Sequence, residues 1–98
     1  MAAEIDTPAF IIDERTLVSD LTHLRQIADK AGCRLLYSPK ANAVSTVLKT
    51  IGGQVDGFAC SSLFELQLVD QICGTGVALH LVSPLITREP LKMFGARL

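Results

Sequence analysis

The chain has 98 residues, 49% of them hydrophobic, and a formal net charge of −1 from 9 basic and 10 acidic side chains. That length holds one small domain, and the interspersed charges leave no basic footprint, so neither nucleic acid nor an anionic membrane is expected as a partner. Cys33, Cys60 and Cys73 are odd in number, far apart and without a C-x-x-C pair, which argues against a disulfide scaffold and a zinc site and fits reduced thiols in a cytoplasmic setting, with no metal expected.

The amino terminus, Met1 to Asp6, lacks the basic and apolar regions of a secretory leader, and no apolar run approaches the length of a membrane span. Pro8 to Ile12 is a short apolar run with β-branched residues that reads as a strand, and Asp13 closes it as a helix cap. Leu17, Leu21, Leu24, Ala28 and Ala31 recur every three or four residues, and Gly32 follows as a left-handed stop. Cys33 to Ser38 reads as a second strand. Val44, Val47, Leu48 and Ile51 then give a shorter helix ended by Gly52-Gly53. Val55 to Cys60 is a third strand. Ser62-Leu63-Phe64-Glu65 has the S-x-x-E form of a capping box, and Leu66, Val69 and Ile72 continue a helix that Gly74-Thr75-Gly76 ends. Val77 to Ser83 is a fourth strand stopped by Pro84, and Thr87 to Leu98 starts another helix with Leu91 and Phe94 as its apolar side.

Strands and helices alternating with strand centres about 22 to 25 residues apart are the signature of consecutive βαβ units and a parallel sheet. Two closures suit it: an open doubly wound sheet, or the first portion of a (β/α)8 barrel, which typically needs about 250 residues. No G-x-G-x-x-G follows a strand and no phosphate-loop motif is present. The mean hydropathy of +0.38 is rich in core residues for a free-standing domain of this size.

Lys40 stands out because it follows the apolar run Leu35-Leu36-Tyr37 at a strand's carboxyl end, where such folds put their chemistry and where an amine can form a Schiff base. Position alone does not separate that role from a solvated loop lysine. Ser62 and Glu65 are explained by the capping box without any ligand. His80, inside an apolar strand, reads as a packed histidine that alternation could also point into the barrel, His23 as solvated, Cys60 as a small core residue, and Met93 and Phe94 as packing residues.

Three blocks in order carry a resemblance: Thr7-Pro8-Ala9-Phe10-Ile11-Ile12-Asp13, then Leu36-Tyr37-Ser38-Pro39-Lys40-Ala41-Asn42, then Asp56-Gly57-Phe58-Ala59-Cys60-Ser61-Ser62-Leu63-Phe64-Glu65. Together they resemble the fold type III pyridoxal-phosphate-dependent decarboxylases of ornithine, diaminopimelate and carboxynorspermidine. The third block, D-G-x-x-x-S-S-L-x-E, resembles the carboxynorspermidine branch most. Ala59, where the ornithine branch carries an acidic residue, points away from that branch. Ala41-Asn42-Ala43-Val44, in contrast, is nearer to the ornithine and diaminopimelate style.

The resemblance implies an α/β fold, the amino-terminal part, about four βα units, of an alanine-racemase-like (β/α)8 barrel. It implies pyridoxal 5'-phosphate as cofactor, anchored covalently on Lys40, with Ser61, Ser62 and Glu65 as neighbouring cofactor-binding candidates. It further implies a small amino-acid substrate and a homodimeric parent enzyme in polyamine biosynthesis. On this reading residues 1–98 are a partial cofactor-binding barrel domain without the second half-barrel and the carboxyl-terminal β domain, inactive alone. The alternatives are a diaminopimelate- or ornithine-type fragment, a non-catalytic module associating through its open sheet edge, and a single-barrel protein related to alanine racemase.

Overall fold

A computed structural model describes residues 4–98; Met1 to Ala3, part of the stretch read as lacking a leader, lie outside the described residues. The elements in chain order are α1 (Glu14–Ala31), β1 (Leu36–Tyr37), a 3-10 turn (Pro39–Ala41), α2 (Ser45–Gly52), β2 (Gly57–Cys60), α3 (Leu63–Cys73), a second 3-10 turn (Gly74–Gly76), β3 (Ala78–Leu81) and α4 (Arg88–Phe94). The strands form one parallel sheet in the order β1-β2-β3, with Leu36 opposite Gly57, Tyr37 opposite Phe58, and Gly57 to Cys60 opposite Ala78 to Leu81.

The local signals account for α1. The Asp13 carboxylate accepts the amide proton of Arg15 at 2.9 Å, which satisfies one of the orphan donors of the first turn. At the other end Gly32 takes φ 69°, and its N–H reaches back to Ala28 and Asp29. Leu21 and Ala28 on the predicted stripe are buried, whereas Leu24 is exposed.

Side chains from all the helices meet one face of the sheet. Leu21 of α1, Val47, Leu48 and Ile51 of α2, Leu66 and Val69 of α3 and Phe94 of α4 form a single cluster with Phe58, Cys60 and Leu79 of the strands. A doubly wound sheet would divide its helices between two faces; one helical layer over a parallel sheet is the barrel arrangement. The other face carries Ala59 opposite His80, and Leu36, Gly57 and Ala78 in one row. Gly57 is required there, because a Cβ at this position would meet the carbonyl oxygen of Ala78 at 2.4 Å.

Four strands are expected from the sequence and three are found among the described residues. Pro8 to Ile12 is not a strand: it pairs with no edge, and Phe10, Ile11 and Ile12 are exposed. A strand exists only through hydrogen bonds to a neighbour, and apolar alternation cannot supply that neighbour. The three strands that do form are shorter than their apolar runs for the same reason, since pairing rather than hydrophobicity sets their ends. In α4 the buried residues are Pro90 and Phe94, while Leu91 and Met93 are exposed. The apolar side predicted from Leu91 and Phe94 is therefore rotated, with Pro90 at i−4 of Phe94 completing the face that meets α3.

Candidate active site

The parallel strands all finish at one end of the sheet, and each is followed by a different kind of segment. After β1 the chain tightens into Pro39–Ala41, with Pro39 buried and Lys40 exposed. Two bonds hold this turn. The Tyr37 hydroxyl donates to the Asn42 carbonyl at 3.0 Å, and the Asn42 side-chain oxygen accepts from the Val44 amide at 3.1 Å, which leads into α2. The Tyr37 ring is fixed in turn, edge-on to Phe58 with centroids 6.1 Å apart. Burial pushes the Tyr37 phenol above its usual value, against a smaller opposite effect of the bond to Asn42, so it stays a neutral donor at physiological pH.

Lys40 is thus presented to solvent by a turn tied at both ends. The side-chain ion pairs among the described residues engage other cations: Arg25 with Asp29 and Asp56, and Arg97 with Asp70.

After β2 comes the start of α3. Ser62 Oγ accepts from the Glu65 amide at 3.2 Å and donates to Glu65 Oε2 at 3.3 Å, so the S-x-x-E motif does cap the helix. Glu65 Oε1 is buried without a hydrogen-bond partner among the described residues. Ser61 and Ser62 line a groove of about 220 Å³ together with Leu81, Ser83 and Thr87 from the segment after β3. The fold therefore puts Ser61 and Ser62 in one groove, with Glu65 bonded to Ser62 but not lining it, and sets Lys40 on the adjoining strand end rather than in that groove.

A larger groove of about 420 Å³ lies between the start of α1 and α2, lined by Ile12, Leu17, Val44, Lys49 and Thr50 among others. Chemistry favours the strand ends over this groove. Lys49 projects from the body of a helix, whereas Lys40 stands where parallel α/β folds collect their reacting groups.

Cys60, Phe94 and His23 take the roles expected of them, whereas Met93 is exposed and His80 lies outside the core cluster. Cys60 is fully buried in the helical core, and burial, with a smaller contribution from the Glu65 charge, pushes its thiol up to about 12, which leaves it protonated and a poor nucleophile. Burial also raises Cys73. His23 is exposed, and His80 is half-buried opposite Ala59 on the sheet face away from the core cluster. Sequence reasoning overlooked Tyr37 and Asn42 as the residues that tether the lysine turn. Their signal was an asparagine two residues before the first apolar residue of a helix, the spacing of an Asx turn.

No protein-family profile matches the chain. Among curated proteins, a carboxynorspermidine/carboxyspermidine decarboxylase of Campylobacter jejuni is 27% identical over 88 residues, which are 90% of this chain and 22% of that protein. The corresponding enzyme of Herminiimonas arsenicoxydans is 31% identical over 70 residues, 71% of this chain and 19% of its own. The crystal structure of carboxynorspermidine decarboxylase from C. jejuni, complexed with norspermidine, matches with a TM-score of 0.83 and 26% identity over 95% of this chain. The chain is related to carboxynorspermidine decarboxylase. It spans about a fifth of the length of the curated decarboxylases, at 22% and 19%, and 25% of the solved one. Within carboxynorspermidine decarboxylase, a three-stranded parallel sheet under one helical layer fits an amino-terminal part of the (β/α)8 barrel.

Proposed function

We propose that this chain is the lysine-bearing segment of a pyridoxal-phosphate-dependent decarboxylase of the carboxynorspermidine type, and that Lys40 is the cofactor's covalent anchor. The observation that carries the reading is Lys40 itself: an exposed amine, held by a tied turn at the carboxyl end of a parallel strand, in a chain whose fold matches such an enzyme with a TM-score of 0.83.

The residues present suit the aldehyde end of the cofactor. A primary amine outside every ion pair among the described residues is free to condense with a carbonyl, and the bonds from Tyr37 and Asn42 hold its turn without engaging the amine. Ser61 is the polar residue at the next strand end not used by the α3 cap, and is the second candidate contact. Ser62 and Glu65 act first as the cap and would reach a ligand only through oxygens the cap leaves over, such as Glu65 Oε1. When bound, the cofactor supplies an electron sink for the pair left behind as carbon dioxide departs. The task of this segment is to hold that cofactor and to return a proton at Lys40 Nζ. The substrate, an α-amino acid carrying a polyamine chain, and a homodimeric assembly are proposed for the whole enzyme, as are the further barrel strands and β domain on which turnover depends.

The test is site-specific trapping. The chain is incubated with pyridoxal phosphate and reduced with borohydride, and the pyridoxyl group is located by peptide mass spectrometry among Lys30, Lys40, Lys49 and Lys92. Label concentrated on Lys40, with its absorbance lost in Lys40→Ala, is the expected result; because Lys40 is exposed, that variant should fold within about 0.5 kcal/mol of the parent. Label spread evenly over the lysines, or settled on Lys49, overturns the assignment.

A further inference from the structure

Asp56, at the opposite end of the sheet from Lys40, makes more connections than a turn residue needs. Its Oδ2 accepts the Leu35 amide at 2.7 Å and Arg25 Nη1 at 2.8 Å. Its own N–H donates to the Leu35 carbonyl at 2.9 Å, and its carbonyl accepts the amide of Ala78 at 3.2 Å. One residue thus grips both backbone groups of Leu35, immediately before β1, and also receives the first residue of β3. Arg25, which also pairs with Asp29 at 3.0 Å, ties the grip to α1.

The strand held in this way has little else to fix its frame. β1 is two residues long, has two register pairs, and lies at the sheet's edge. Leu35, Leu36 and Tyr37 are consecutive apolar residues and all half-buried, so the hydrophobic pattern does not say which of them should face the helices. In a β-strand a slip of one residue sends every side chain to the other face. Such a slip would turn over the lead-in to the lysine turn and draw Tyr37 away from both Phe58 and Asn42.

We infer that Asp56 is a positioning residue for Lys40: its carboxylate sets the register of β1 against β2 and thereby the face on which the lysine turn is presented. The positioning role rests on the reading of Lys40 as the anchor; the register role does not.

The experiment compares the full chain with Asp56→Ala and Asp56→Asn, following the Lys40 share of reductive pyridoxyl label and the amide exchange of Leu35 to Tyr37. Asp56→Ala should cut the label on Lys40 relative to Lys49 at least about tenfold and deprotect Leu35, since it removes the carboxylate's hydrogen bonds from both the Leu35 amide and Arg25. Asp56→Asn keeps an oxygen acceptor for the Leu35 amide and should stay within about threefold of the parent. Should Asp56→Ala fail to unfold cooperatively, Asp56→Glu replaces it: the charge stays, the acceptor is displaced by one methylene, and the same loss at Lys40 is expected. Unchanged Lys40 labelling alongside a deprotected Leu35 overturns the positioning role, and an unchanged Leu35 amide overturns the register role as well. If the unsubstituted chain takes no label at Lys40, the anchor reading fails, and the register role is judged on amide exchange alone.

Discussion

The two ends of this sheet are built differently. At the amino end the polar groups are joined to one another: Asp56 links Leu35, Ala78 and Arg25, and Gly57 lets β2 and β3 approach to a distance no side chain would permit. At the carboxyl end Lys40 is exposed, Ser61 lines an open groove, and one oxygen of Glu65 is buried without a partner. In barrel folds the amino-end face serves stability and the carboxyl-end face serves chemistry, and the joined groups at one end of this sheet and the open ones at the other are what the Lys40 proposal requires. A residue's end of the sheet therefore says more about its task than its side-chain type does.

Substitutions at the two ends put that division at risk in graded steps. The largest loss is expected from Gly57→Ala, which drives a methyl group into the Ala78 carbonyl at 2.4 Å and its Cβ at 2.9 Å. A cost of about 1–3 kcal/mol, the usual penalty of overpacking, should appear as a lower urea midpoint. No loss would mean that the close approach of the strands is unnecessary. Ser62→Ala at the carboxyl end removes the cap of α3 and should lower thermal stability by about 1 kcal/mol. A larger loss there than at Gly57 would reverse the comparison.

The smallest effect is electrostatic. The Leu35 amide, and after it the Arg25 guanidinium, hold the Asp56 carboxyl below its usual value, against the opposing pull of desolvation. Because the folded value is depressed, the stabilisation is fully present above the unfolded value of about 4 and is lost as pH falls through the folded one. An acid titration of stability should therefore be shallower in Asp56→Asn than in the parent. Equal slopes would show that the carboxylate contributes no charge-dependent stability.

Local signals carried most of the fold. Asp13 and Gly32 bound α1, Ser62 and Glu65 open α3, and Gly74 at φ 65° ends it, each within a residue or two of where chemistry alone puts it. The parallel pairing of consecutive strands was legible from their alternation with helices, but which apolar runs would find a partner was not. The run Phe10-Ile11-Ile12 has the composition of a strand and lies exposed, because a strand's partner is chosen by the rest of the fold and leaves no mark on its own residues. Lys40 was legible as a position, through the apolar run before it, and the chemical role proposed for it rests on resemblance. The grip of Asp56 on Leu35 spans 21 residues and could not be read at all, since an aspartate before a glycine looks like any turn.

The register has a consequence for how the sheet grows. Leu36 pairs with Gly57 and Gly57 with Ala78, so each new strand joins its predecessor at the same interval of 21 residues. Closing a loop costs entropy that depends on its length, so every addition meets the same small toll, and none waits for a segment made much later. A ribosome releasing this chain would deliver each strand to an edge already in place, with Asp56 arriving just in time to catch Leu35.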